Sequence, residues 1–214
     1  PARVAPALLY EGAAVDATKV RGLPPAQPSV GVPPARRTPD DSVVNVGVAI
    51  GVPEPWGSQL SQSRAATGDP LAPFVPAHVT LLGPTEVDRD ALPAIERHLE
   101  EVASTQRPFA IRLRGTGTFR PVTEVVFVAV ASGISRCEQL SVAVRSGPLR
   151  RKLHFPYHPH VTVAHDIPTA ALDAVFEELA DFNAKFAVDR FTLYVHGADL
   201  RWGPVRDFPL GPVE

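Results

Sequence analysis

Residues 76–83, PAHVTLLG, and residues 159–165, PHVTVAH, decide how this chain is read. Both stretches are apolar and rich in β-branched residues, so both are expected to be strands. In a strand, residues i and i+2 leave the same face. His78 and Thr80 therefore project together, as do His160 and Thr162. Val79 and Val161 turn the opposite way, toward a core. From the His and Thr content of the 214 residues, chance supplies about 0.4 His-x-Thr matches. Either tripeptide alone is compatible with a buried histidine beside a threonine chosen for strand propensity. Two copies, both reading His-Val-Thr and both in apolar strands, are a stronger signal.

Moving outward from these strands, the same order of elements appears around each. Upstream of the first, residues 43–51 (VVNVGVAIG) form a β-branched run, and residues 53–66 suit a helix with proline in its first turn. Downstream, Asp88 or Asp90 is expected to cap a helix carrying Leu92, Ile95, Leu99 and Val102 on one stripe, followed by a strand over 109–113. The second copy runs through a strand over 124–131 (EVVFVAVA) and a helix over 135–144 with Cys137, Leu140 and Val144 on one face. After the motif strand, Pro168 opens a helix bearing Leu172, Val175, Phe176 and Leu179, and a strand follows over 186–195. A short edge strand over 201–210 closes the chain, its prolines confining it to an edge. Val46 precedes His78 by 32 residues and Val126 precedes His160 by 34. Two related lobes, approximately 43–115 and 122–210 with strand exchange allowed between them, would face each other across a cleft.

Composition bounds the remainder. The chain has 21 Lys+Arg against 23 Asp+Glu, a net charge of −2, which argues against a broad electrostatic grip on duplex nucleic acid. The single cysteine, Cys137, excludes an internal disulfide framework and a cysteine-based zinc site. No apolar run is long enough for a membrane helix, and no signal-peptide pattern opens the chain. A cytoplasmic, monomeric protein without a membrane partner is expected. Prolines at 1, 6, 24, 25, 28, 33, 34 and 39 mark residues 1–42 as an extended, disordered extension ahead of a domain over 43–214.

Two imidazoles and two hydroxyls in one cleft suit chemistry at a phosphodiester. Histidine exchanges protons near neutral pH, so one ring can take a proton from a nucleophile while the other gives one to the leaving oxygen. The hydroxyls can hold the non-bridging phosphoryl oxygens. No cofactor enters this scheme.

At this point the chain resembles the two-histidine (2H) phosphoesterase superfamily, and within it the 2'-5' RNA ligase/cyclic phosphodiesterase-like proteins. The resemblance rests on PAHVTLLGPTEV at 76–87, YHPHVTVAHDIP at 157–168, GTFRP at 117–121 and the closing DRFTLYVHG pattern. It implies an α+β fold with pseudo-twofold symmetry: two lobes whose antiparallel sheets form a central cleft, with helices on the outside. It also implies hydrolysis of 2',3'-cyclic phosphates or 2'-5' linked RNA ends, with reversible 2'-5' ligation in some members. On that mapping His78 and His160 are the catalytic acid and base, and Thr80 and Thr162 bind phosphate. Many members carry an arginine where this chain has His165.

Candidate substrate contacts are Phe119, Arg120, Arg151, Tyr157 and His165; the run Arg150, Arg151 and Lys152 reads as a solvated loop or, alternatively, as a basic lip that draws in an RNA end or small nucleotide. Two alternatives stay open. One is a non-catalytic RNA- or nucleotide-binding module. The other is a metal hydrolase held by His154, His158, His160 and His165, although no HExxH or third-ligand spacing supports it. His98 and His196 are expected to be structural, and Cys137 to pack on a helix face.

Overall fold

The computed structural model describes residues 42–153, 155–197 and 201–211. Apart from Ser42, the proline-rich segment lies outside the described residues, and so does His154. Among the described residues, eight strands and four α-helices follow in the order β1 (Val43–Gly51), α1 (Trp56–Ala66), β2 (His78–Asp88), α2 (Leu92–Thr105), β3 (Phe109–Thr118), β4 (Val125–Ser132), α3 (Ile134–Val144), β5 (His160–His165), α4 (Thr169–Glu178), β6 (Asn183–Val188), β7 (Arg190–His196) and β8 (Trp202–Pro209).

The strands form two antiparallel four-stranded sheets, in the orders β2-β1-β7-β8 and β5-β4-β3-β6. Neither sheet is a contiguous half of the chain. β3 leaves the first half to pair with β4, and β7 and β8 return from the second half to pair with β1. The helices cross as well. α2 and α3 pack on the sheet holding β2, whereas α4 packs on the sheet holding β5 and Trp56 of α1 stacks on Phe186 of β6. Each motif strand lies at the edge of its own sheet, and β2 and β5 approach each other.

Two details differ from the sequence expectation. The single strand expected over 186–195 is two strands in different sheets. Buried residues fall at even positions in β6 (Ala184, Phe186, Val188) and at odd ones in β7 (Phe191, Leu193), with Thr192 buried between them. The phase of the alternation therefore breaks at Asp189, where the chain passes from one sheet to the other. Neither Asp88 nor Asp90 caps α2: β2 runs through Asp88, a short helical turn intervenes, and Ala91 stands at the N-cap without a side-chain hydrogen bond. The helix instead starts with proline in its first turn.

β1 shows how its sequence positions the cleft. Its large residues, Val44, Val46, Val48 and Ile50, fill the core side. The intervening positions 47, 49 and 51 are Gly, Ala and Gly. One face of the strand is thus packed into the core, and on the other face positions 47, 49 and 51 carry almost no side chain.

Candidate active site

The cleft between the sheets holds about 770 Å³ of open space, and His78, Thr80, His160 and Thr162 all line it. Val79 and Val161 point into the core at 0% and 1% exposure, which fixes the outward face of each motif strand. The two motifs agree in finer detail. His78 Nδ1 donates to the Pro76 carbonyl at 2.7 Å, and His160 Nδ1 donates to the His158 carbonyl, also at 2.7 Å. A carbonyl oxygen only accepts, so in both rings Nδ1 carries the hydrogen and Nε2 is left for proton exchange. Just after each threonine the strand register slips. Thr80 pairs with Ala49 and Leu82 with Val48, so Leu81 is extra; Thr162 pairs with Phe127 and Ala164 with Val126, so Val163 is extra. A bulge re-aims side chains next to a site, and here it recurs at the same place in both lobes.

The surroundings of the two rings differ. Burial lowers the pKa of His78, and the nearby Arg64 charge lowers it further, against the opposing pull of the Pro76 carbonyl. His160 sits among the rings of Phe119, Phe127 and His158, at centroid distances of 5.0, 5.1 and 6.1 Å. Burial in that setting brings it down to about 4, with smaller contributions from the charges that His158 and His78 would carry. Both imidazoles are therefore neutral at pH 7 in the unliganded protein, and an anion between them would favour protonation of either.

Phe119 and His165 line the cleft as expected. Arg120, Arg151 and Tyr157 do not, because each is engaged elsewhere. Arg120 Nη1 bonds Asp173 at 2.7 Å while its Nε bonds Thr118. Arg151 Nη1 bonds the Pro84 carbonyl at 3.0 Å and the Thr85 hydroxyl. The Tyr157 hydroxyl donates to the Thr80 carbonyl at 2.9 Å. The expected basic lip is thus partly a strut against β2. His98 Nε2 reaches the Val144 carbonyl at 3.2 Å, and burial pushes the Cys137 thiol up to about 12; both are packing groups. Among the described residues, no three His, Cys, Asp or Glu side chains gather in an arrangement that would hold a metal ion.

The sequence reading missed one wall of the cleft: Gly47 and Ala49 on β1, Tyr194 on β7 and Trp202 on β8. Glycine inside an apolar strand marks a close approach of another group, so Gly47 was the available signal.

A family model described as "2'-5' RNA ligase superfamily" matches residues 52–200, well over half of the chain. The chain belongs to the 2'-5' RNA ligase superfamily. This superfamily member is 30% identical over 154 residues to a Bacillus licheniformis protein named "Putative phosphoesterase", covering 71% of this chain and 90% of that one. A protein of the same printed description from Oceanobacillus iheyensis is 28% identical over 145 residues, 67% of this chain and 85% of its own. Among solved structures, E. coli LigT complexed with 3'-AMP superposes with a TM-score of 0.63 at 24% identity, covering 78% of this chain and 98% of that one. LigT complexed with NADP+ superposes at 0.58 with 23% identity, covering 78% and 98%. These likenesses establish the LigT-type two-sheet fold and membership among the 2H phosphoesterases. Among the described residues, no helix is long and apolar enough to cross a membrane.

Proposed function

We propose that the protein is a phosphodiesterase that opens 2',3'-cyclic phosphates or 2'-5' phosphodiesters of RNA ends or related nucleotides by two-histidine acid–base catalysis. The observation that carries the reading is the matched pair of imidazoles. Both are fixed through Nδ1 to the carbonyl two residues upstream, and both line one cleft with their motif threonines. One Nε2 takes a proton from water as the water oxygen attacks phosphorus. The other, protonated, gives its proton to the ribose oxygen as the P–O bond breaks. The products are a phosphomonoester and a free hydroxyl, and the two rings exchange protonation states. Thr80 and Thr162 hold the non-bridging oxygens. With a ribose 5'-hydroxyl in place of water, the same proton transfers on a 2',3'-cyclic end form a 2'-5' bond as the bond from phosphorus to the 3'-oxygen breaks and that oxygen leaves as a hydroxyl. The nucleotide complexes of LigT, which shares the fold, agree with a nucleotide-sized ligand.

The test is hydrolysis of adenosine 2',3'-cyclic phosphate and of a 2'-5' dinucleotide by wild type, His78→Ala and His160→Ala. Each substitution is expected to lower kcat by roughly 10²–10⁴-fold, the usual contribution of a positioned acid or base. Activity is expected to persist in excess chelator. Full turnover in the double histidine variant would remove the assignment, and activity abolished by chelator and restored by zinc would favour the metal reading.

A further inference from the structure

The pseudo-twofold symmetry that governs the motifs breaks down beside them. In one sheet the residue paired with Thr80 is Ala49; in the other, the residue paired with Thr162 is Phe127. Directly paired residues share a face, so Ala49 and Phe127 hold equivalent places next to the two threonines. The Phe127 ring lies over Gly117, where a Cβ would stand 2.6 Å from it, and it packs against Phe119 at 4.5 Å and His160 at 5.1 Å. The floor of that lobe is filled.

In the lobe of His78 the same ground is open. Ala49 contributes only a methyl group, so a trough runs from Thr80 over Ala49 to the Trp202 ring, which lies over Gly47, and Tyr194, the residue paired with Gly47 on β7, lines it as well. The trough ends on Trp202, and that ring is seated rather than loose. A Cβ at Gly47 would come within 2.9 Å of its Cζ3, so only glycine leaves the ring its place. His196, paired with Trp202, lies 5.1 Å from it ring to ring, and the backbone N–H of Trp202 donates to the Phe74 carbonyl at 3.2 Å, which fixes the main chain beneath the ring. Trp202 is nonetheless only half-buried and lines the cleft. Indole and phenol surfaces facing an open trough are stacking surfaces for flat rings.

We infer that Trp202 and Tyr194 form a second ring-binding subsite, which holds the base on the ester arm pointing away from Phe119. The preferred substrate is then a phosphodiester with a base on each side, in preference to a mononucleotide cyclic phosphate. This rests on the site being a phosphodiester site, and it adds which wall reads which arm. Phosphorus is held between the motifs, and its two arms depart toward opposite lobes. Phe127 closes the floor beside Thr162, and the bare face of β1 opens it beside Thr80.

Two measurements separate this inference from the catalytic reading beneath it. The first is steady-state kinetics of wild type, Trp202→Phe and Trp202→Ala on 2'-5' adenylyl-adenosine and on adenosine 2',3'-cyclic phosphate. Trp202→Ala is expected to raise KM for the dinucleotide about tenfold or more, with Trp202→Phe between, and to leave the cyclic mononucleotide within about twofold. Equal losses on both substrates, or no loss on either, overturn the subsite while leaving the phosphodiesterase intact. The second is tryptophan fluorescence of the His160→Ala protein titrated with the dinucleotide, adenosine 3'-phosphate or inorganic phosphate. Quenching by the dinucleotide alone, absent when Trp202→Phe is added, supports the subsite even if wild type hydrolyses neither substrate. Quenching that survives Trp202→Phe, or none at all, overturns it.

Discussion

The Tyr157 hydroxyl donates to the Thr80 carbonyl across 2.9 Å, fastening the segment that leads into the second motif to the strand that carries the first. It is one of several such ties along the free edge of β2. Ser141 Oγ of α3 bonds the Leu81 carbonyl at 2.7 Å, and Arg145 Nε in turn bonds Ser141 Oγ at 3.0 Å. The edge carbonyls that a further strand would have paired are taken by side chains from the other half of the chain.

Tyr157→Phe removes the first tie while keeping the ring and its contact with the Arg145 guanidinium, 5.9 Å away. The expected cost is about 1 kcal/mol in urea unfolding, the net value of one hydrogen bond. A several-fold lower kcat is expected with it, because the two motifs lose a common anchor. Unchanged stability and kinetics would mean that the tie does not position the motifs.

Arg151 is a sharper case, since its position in the sequence suggested substrate binding and its contacts are to Pro84 and Thr85. Arg151→Ala is expected to lower thermal stability by a few degrees and to leave the affinity for inorganic phosphate within about threefold. A tenfold or larger loss of phosphate affinity at unchanged melting temperature would return Arg151 to the substrate.

The buried pair Arg64–Asp69 stiffens the approach to His78. Arg64 Nε bonds Asp69 at 2.7 Å with both side chains almost wholly buried, and Arg64 Nη2 has no hydrogen-bond partner among the described residues. Asp69 also accepts the Leu71 N–H at 2.8 Å, at the start of the loop that ends in Pro76, the acceptor for His78. Asp69→Ala leaves a buried guanidinium uncompensated and is expected to cost about 3–5 kcal/mol in chemical denaturation. Replacing both residues by leucine is expected to recover much of that loss. Asp69→Ala within about 1 kcal/mol of wild type would show that the guanidinium finds water or another partner.

The motif faces were legible because strand geometry leaves no choice. Once His78-Val79-Thr80 is a strand with Val79 in the core, its neighbours face out, and the same holds at His160. The sheet swap was not legible in that way. β6 and β7 read as one apolar run, and only the phase change at Asp189 separates them. The Trp202 wall depends on that swap: a residue 40 positions after Thr162 reaches the cleft because β7 and β8 cross back to β1. The bare face of β1 was visible in VVNVGVAIG, where small residues alternate with large, but its meaning depends on which strand it faces. Arg120, Arg151 and Tyr157 were placed near the site by sequence proximity, and proximity does not report which hydrogen bonds a long side chain has already made.

The neutral state of the two imidazoles carries a pH signature of folding. His160 falls from 6.5 in its ordinary state to about 4 in the native protein, with burial as the main cause, and His78 moves in the same direction. Above pH 6.5 both states hold these rings neutral, so they add no pH dependence. Between about 6.5 and 4 the unfolded chain binds the protons first, so stability falls as the pH drops through that window. Below it the native rings are protonated too and the slope vanishes. Urea unfolding of wild type and His160→Gln at pH 7, 6 and 5 is expected to show a steeper loss for wild type, the difference being the contribution of His160. Saturating inorganic phosphate is expected to flatten the wild-type curve, because an anion between the rings restores their affinity for protons. Parallel curves for the two proteins, with or without phosphate, would mean that His160 titrates natively at its ordinary value and that the ring is not held neutral in the cleft.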